Sequence, residues 1–420
     1  MRNSDRMNSL FRELKDLFWE DSSVLRLYFL AYFLLGMNLA IFFVYCPLFL
    51  PLMGFDSISG VSLLVGIPAC STLIGQNFWG ALCLKGDRFK LLLLLGSISF
   101  APLYLFLALS TNTQILFLYL AVHGFLLGAF YPSTQTLGTL VQSEKKGEII
   151  GKFLTYESAG WGLACLCMGL LTGIYAPSIE VYSRVFLALS LINGLIVFYL
   201  FLSFPSKIQG LDWTRIQSRG KTAYKRLLQS PPVLCLFVYI LLVETGGTMF
   251  FFFFSRYFTG ILGGSEEVLG YAMTVCTILG ILSLPIVGRV SDKRGYFSVL
   301  VFSAISYFFV FSLVNLTSNP ILVIMIYAMP IYPLISVSAN AGIASITSES
   351  ERAIGFGLLE SVFHGATLLS PLFGGIFLSK IGLENLPLAT LVFVSLGICF
   401  LPVMKFFQDR NQENPLIKSV

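Results

Sequence analysis

Long apolar stretches separated by short polar clusters recur along the chain every ~30 residues, each near the ~20 residues that cross a hydrocarbon core of ~30 Å. Twelve runs are legible, at residues 25–50, 58–83, 90–109, 114–141, 149–174, 182–204, 232–255, 267–289, 296–316, 320–346, 353–379 and 386–407. Their length and continuity predict α-helices, which satisfy their own backbone hydrogen bonds in lipid. A membrane β-barrel would show ~10-residue segments of alternating polarity instead. The pattern predicts an all-α integral membrane protein with twelve spans.

Composition agrees with the pattern. Charged residues make up 12% of the chain and apolar ones 56%, where an average soluble domain is ~25% charged. So few charges cannot cover a globule of this size, and the apolar excess must face lipid. The net charge of +5 says less than its placement, since 24 of the 27 Lys and Arg fall on one side of a twelve-span chain. They lie in the N-terminal tail (Arg2, Arg6, Arg12, Lys15, Arg26) and the even-numbered loops (Lys85, Arg88, Lys90; Lys145, Lys146, Lys152; Arg289, Lys293, Arg294; Arg352). The central connection (Lys207, Arg215, Arg219, Lys221, Lys225, Arg226) and the C-terminal tail (Lys405, Arg410, Lys418) hold the rest. Only Arg184, Arg256 and Lys380 lie opposite. The positive-inside rule then places both termini in the cytoplasm, with the chain in the inner or plasma membrane. The basic loops read as topology signals, with no nucleic-acid partner.

Residues 1–24 are charged, and the first apolar run is too long for the core of a cleavable signal. Met7, Leu10, Phe11, Leu14, Leu17 and Phe18 follow helical spacing against Arg6, Arg12, Lys15 and Asp16, which predicts a short amphipathic helix on the inner surface. The eight cysteines sit almost entirely within spans. Cys165 and Cys167 look paired, but two positions apart on a helix point roughly 200° away from each other. They read as small packing residues, and no metal or cofactor is called for.

The longest polar connection, residues 205–231, divides the spans six and six. It separates an N-terminal bundle at 25–204 from a C-terminal bundle at 232–407, with a tail at 408–420. The halves match each other. Ser71-Thr72-Leu73-Ile74-Gly75 lines up with Cys276-Thr277-Ile278-Leu279-Gly280 at an offset of 205, which also places Asp87 on Asp292. Glu157-Ser158 lines up with Glu360-Ser361 and Gly162 with Gly365 at an offset of 203. Tyr131-Pro132 and Tyr332-Pro333 occupy similar places in spans 4 and 10. Such an internal repeat is a symmetry mark of transporters, in which two like bundles rock about a site between them.

The loop after span 8 reads Gly288-Arg289-Val290-Ser291-Asp292-Lys293-Arg294-Gly295. It resembles the signature loop of the major facilitator superfamily, G-x-x-x-D-[RK]-x-G. The loop after span 2, Cys83-Leu84-Lys85-Gly86-Asp87-Arg88-Phe89-Lys90, is a degraded copy. Glu144-Lys145-Lys146-Gly147 before span 5 is similar to the family's acidic-basic-glycine turn, with Glu349-Ser350-Glu351-Arg352 as its partner before span 11. The resemblance covers all twelve spans. It implies two pseudo-symmetric six-helix bundles in which Gly288 allows close helix approach. It also implies that Asp87, Arg88, Asp292, Arg294, Glu144 and Glu349 form an inner latch and cap a helix N-terminus. The alternative is a set of solvated loop charges of little energetic weight. Drug/proton antiporters of the family carry an Arg in helix 4 and a Gly-Pro ending helix 5. Here helix 4 offers His123 and no Arg, and helix 5 has Gly160, Gly162 and Gly169 without that proline.

Ionisable groups at depth cost ~2.5–3.5 kcal/mol each to insert and are functional candidates by default. Glu244 lies near the middle of span 7, and Glu157 and Glu360 lie roughly 11–12 Å into spans 5 and 11. Glu360 and His364 are four apart and share a helix face, where an acid and an imidazole can hold and pass a proton. A structural hydrogen-bonded pair is the alternative, and His123 reads as an interhelical histidine. Asn38, Gln76, Asn77, Gln135 and Asn340 are candidates for substrate contact, with Tyr131 and Tyr332 marking helix bends at the cavity. Phe250 to Phe254 read as lipid-facing and packing residues. No Gly-Lys-Ser/Thr phosphate loop is present, which argues against direct ATP drive. The expectation is a monomeric transporter, not an enzyme, moving a small organic solute by alternating access with proton coupling. Symport leads, export of drugs or metabolites follows, and a non-transporting sensor on the same scaffold is a third reading.

Overall fold

The computed structural model describes residues 23–55, 58–83, 88–110, 112–134, 146–205, 220–347 and 352–413. Twelve helices long and apolar enough to cross a membrane run through them. The first six are α1 (Val24–Met53), α2 (Ile58–Gly80), α3 (Phe89–Leu109), α4 (Gln114–Thr134), α5 (Gly151–Ile174) and α6 (Ile179–Ser203). The second six are α7 (Pro231–Ile261), α8 (Glu266–Arg294), α9 (Tyr296–Leu316), α10 (Pro320–Ile346), α11 (Ile354–Ile381) and α12 (Leu383–Phe407). A short basic helix, Gly220–Leu228, precedes α7. The amphipathic segment expected before residue 23, most of the 205–231 connection and the tail from 414 lie outside the described residues.

The helices begin and break where local chemistry dictates, and the two halves do so alike. Asn112 caps α4, its side-chain oxygen accepting from Ile115 N at 3.2 Å. Asn319 caps α10, accepting from Ile321 N at 2.9 Å and Leu322 N at 3.3 Å. Each satisfies amides that a helix start leaves unpaired. A turn at residues 128–129 interrupts α4 just before Tyr131-Pro132, and residues 328–331 interrupt α10 before Tyr332-Pro333. Proline cannot donate to the preceding turn, so both breaks fall two to five residues upstream of it. In α1 the same cause widens the helix to a π turn at Ile41–Tyr45 ahead of Pro47.

The motif Gly288–Gly295 is not a loop. α8 continues through Arg294, and only Gly295, with φ +81°, turns the chain into α9. The left-handed conformation explains that glycine. The 29 residues of α8 reach roughly 43 Å, beyond the ~30 Å hydrocarbon core, so the charged end emerges into the interface.

Contacts group the chain into two compact units. Among the described residues the first holds 23–40, 71–83, 88–110, 112–134, 146–164 and 180–205; the second holds 41–55, 58–70, 165–179, 220–347 and 352–413. In the first unit α1 and α5 cross at backbone distance. A Cβ on Gly36 would lie 1.8 Å from Glu157 O, and one on Gly160 would lie 2.0 Å from Phe33 O. The α2–α4 crossing is equally close at Gly75, whose Cβ would sit 2.4 Å from Phe125 O. Thr72 donates to Gly124 O at 2.9 Å and Trp79 to Phe125 O at 2.7 Å across it. Without a hydrophobic force between helices in lipid, such small-residue contacts and hydrogen bonds are what join them.

In the second unit Gly280, the repeat equivalent of Gly75, meets α10 in its turn, a Cβ there falling 2.2 Å from Tyr332 Oη. The second half of α1 and the end of α5 also pack on α7 and α8 in this unit. Tyr45 Oη donates to Cys165 O at 3.3 Å. A Cβ on Gly270 would lie 2.7 Å from Cys165 O, Gly169 Cα and Tyr45 Oη alike. Phe250, Phe252, Phe253 and Phe254 are buried. Phe254 stacks on Tyr327 at 3.8 Å, and Phe250 meets Phe311 at 4.8 Å. The phenylalanine run is therefore mostly packing, with Phe251 half-buried, because α7 is turned inward along that stretch.

Candidate functional site

In the second unit Glu244 lies beside the crossing of α7 and α11. Glu244 stands thirteen residues after Pro231, roughly 20 Å along the axis and near the helix midpoint. It is half-buried, and its Oε2 accepts a long hydrogen bond of 3.5 Å from Thr248 Oγ1, one turn on. The helices are pinned beside it: buried Ser370 on α11 donates to Thr245 O at 2.9 Å. Among the described residues no basic side chain comes within ion-pair distance of Glu244. A carboxyl in mid-membrane with one weak polar contact is placed to exchange a proton or meet a cationic group.

Glu360 and His364 lie further along α11. Glu360 is solvent-accessible, His364 is half-buried, and they share a face. Tyr332 is 39% exposed with its hydroxyl against Gly280. Asn340 is half-buried, but its amide returns to Ser336 O of its own helix at 2.8 Å.

The first unit carries the mirror set. Glu157 stands eleven residues after Lys146 and Glu360 eight after Arg352, roughly 17 and 12 Å from their helix starts. Tyr131 donates to Glu157 Oε1 at 3.4 Å, joining the α4 break to α5. Gln76 is half-buried beside the α2–α4 contact, and its N lies 2.7 Å from where a Cβ on Gly128 would be. Asn77 is exposed and donates to Leu73 O at 2.9 Å, a bond within its own helix. His123 is buried against the Phe100 ring at 4.3 Å, an interhelical position between α4 and α3.

Asn38 requires a correction. It is 1% exposed, and its amide forms a reciprocal pair with Asn193 on α6, at 2.7 and 2.8 Å. Asn193 donates also to Leu189 O, and Tyr104 Oη donates to Asn38 O at 2.7 Å. With both ends of the amide engaged between helices, Asn38 bonds structure and not solute. Asn38→Leu should lower stability by ~1–2 kcal/mol, because Asn193 then loses its partner in an apolar setting. Adding Asn193→Leu should restore part of that loss in thermal unfolding of the purified protein; an additive double variant would disprove the pairing.

A second correction concerns Gly288. Among the described residues nothing lies within 4 Å of its Cβ position, so no close helix approach occurs there. Asp292 and Arg294 are exposed in the last turn of α8, where Lys293 and Arg294 suit the helix dipole. The start of α9 takes no side-chain cap. Arg88 is exposed just ahead of α3. Asp87, Gln135, Glu144 and Glu349 lie outside the described residues.

The sequence model of the family described as "MFS_1 like family" matches residues 25–386. The chain belongs to the major facilitator superfamily. This transporter is similar to multidrug resistance protein MdtG of Proteus mirabilis (strain HI4320), 26% identical over 283 residues that cover 64% of this chain and 67% of that protein. It is similar to solute carrier family 67 member A1 of Homo sapiens, 27% identical over 220 residues covering 50% and 51% of the two chains. Among solved structures, a bacterial homolog to the human lysosomal transporter Spinster, in an inward-facing and unoccupied conformation, superposes with TM-score 0.76 at 16% identity. That match covers 91% of this chain and 96% of the homolog. The nucleoside transporter NupG superposes with TM-score 0.72 at 12% identity, over 92% and 99%. The transporter thus has the family's fold of twelve spans in two pseudo-symmetric halves, and it is a multi-pass membrane protein and not an enzyme.

Reading the sequence alone missed two partners within this transporter. Asn193 sits in an apolar run as Asn38 does, so the same signal marks it, but only packing pairs the two. Thr248 follows Glu244 at helical spacing and was open to the same four-residue reasoning that linked Glu360 with His364.

Proposed function

We propose that this transporter exports small amphipathic organic compounds by alternating access of its halves, 25–204 and 232–407, driven by the proton gradient. Glu244 is the principal proton site, with Glu360 and His364 next to it along the route. The supporting observation is the mid-span carboxyl of Glu244, half-buried and held by Thr248 alone among the described residues. Insertion of such a group costs ~2.5–3.5 kcal/mol, and a role in transport is a reason to retain it. Neutralising it by a proton lowers the cost of carrying it through a closed intermediate. Export is favoured by similarity to proteins named for multidrug resistance. The chain lies in the inner or plasma membrane with both termini cytoplasmic, and works as a monomer. Asp292 and Arg294, with Asp87, Arg88, Glu144 and Glu349, latch the inner side in the outward-open state, and Glu157, Tyr131, Gln76, Tyr332 and Asn340 border the solute path.

Import by proton symport is the second reading, favoured by the lack of the helix-4 Arg and the helix-5 Gly-Pro. Proteoliposomes decide between them. A panel of lipophilic cationic and neutral dyes should move against the imposed proton gradient in antiport and with it in symport. Transport that persists unchanged after a protonophore collapses the gradient would refute both.

A further inference from the structure

A groove of about 400 Å³ runs between α3 and α6, lined by Leu91, Leu94, Leu95 and Ile98 on one side and Gly194, Val197, Phe198 and Phe201 on the other. Each set is spaced i, i+3, i+4, i+7, so each is one stripe of its helix. The lining is wholly apolar, and the volume is within the range of ligand pockets, ~300–1,000 Å³. Its floor is open at Gly194, where no described atom lies within 4 Å of a Cβ position. From Leu91 to Ile98 the groove extends roughly 10 Å along the helix, a third of the hydrocarbon core.

One end of this apolar channel is positive. Lys90 precedes the α3 stripe by one residue. Its Nζ donates to Phe204 O at 2.8 Å and stands 5.0 Å from the centre of the Phe201 ring, at the groove mouth. An ammonium has three donors, and no other described acceptor takes the remaining two. Arg88, exposed two residues earlier, adds a second positive charge at the same end. The opposite end has no charged lining residue.

We propose that this groove binds an anionic phospholipid, one acyl chain lying between the α3 and α6 stripes and the phosphate on Lys90 and Arg88. A groove open to the lipid phase with cations only at the interfacial end fits that amphiphile, and basic pockets between spans are a known way of holding anionic headgroups. The charge distribution makes this the cytoplasmic leaflet.

Native mass spectrometry of the full chain in detergent, with phosphatidylglycerol or phosphatidylcholine added, tests it. The native chain should retain phosphatidylglycerol about fivefold better than phosphatidylcholine. Lys90→Gln should reduce that preference and Lys90→Gln with Arg88→Gln should remove it, and Gly194→Phe, which fills open space without meeting backbone, should lower retention of both lipids. Thermal unfolding should rise with phosphatidylglycerol and not with the same concentration of inorganic phosphate. Equal retention of the two lipids by the native chain, or full retention by Gly194→Phe, would overturn the assignment. So would equal stabilisation by free phosphate, or a dimer that Gly194→Phe splits without changing bound lipid.

Discussion

Replacing Glu244 by Gln should abolish uphill transport while leaving solute exchange intact. The side chain is nearly isosteric, and its amide oxygen still accepts from Thr248, so helix packing is preserved. What it lacks is a titratable proton. One pH unit is equivalent to 1.36 kcal/mol per proton, so a single coupled proton supports a solute ratio of ~10. In proteoliposomes with that gradient the variant should fall to a ratio of ~1. Counterflow of labelled against unlabelled solute, which needs no net proton movement, should stay near the native rate. Glu360→Gln measured in parallel separates the two acids. Normal accumulation by both variants would show that neither carries the coupled proton.

The largest effect on stability is expected at Gly36. A valine there would drive its Cβ to 1.8 Å from Glu157 O, and the reciprocal contact of Gly160 with Phe33 O is nearly as short. The obstructing atoms are backbone, so no rotamer relieves the clash, and α1 must part from α5. Loss of more than ~4 kcal/mol is expected, the range reserved for core overpacking and similar failures. The Gly36→Val protein should elute as aggregate in size-exclusion chromatography and show no cooperative thermal transition. Gly288→Ala is the contrast: with open space around it among the described residues, it should unfold within ~0.5 kcal/mol of the native chain. Native-like unfolding of Gly36→Val would mean that the α1–α5 crossing is not as close as described.

Much of the architecture was readable from the chain. Ten of the twelve span starts lie within two residues of the expected ones, because the thickness of hydrocarbon sets the length of an apolar run. The repeat was readable too: Gly75 and Gly280, aligned by sequence, both turned out to be contact points on the fourth helix of their half. The same holds for Tyr131-Pro132 and Tyr332-Pro333, since proline acts on its own helix and needs no neighbour.

The candidate site was less readable. Asn38, Gln76 and Asn77 look alike in sequence, as polar residues in apolar runs. Yet one is locked to Asn193, one lies beside a helix crossing, and one is exposed with its amide turned to its own helix. Phe250 to Phe254 read as lipid-facing and packing residues, and the packing part prevails: four of the five are buried.

What the sequence by itself determined was the number of crossings, their length and the twofold repeat, each a property of order along the chain read against a slab of fixed thickness. What only the tertiary structure decided was the rotation of each helix about its axis. That rotation sends Asn38 to Asn193, turns Phe250 to Phe254 mostly inward and opens the groove beside Lys90. It is set by backbone contacts such as Gly36 on Glu157, between residues more than a hundred positions apart.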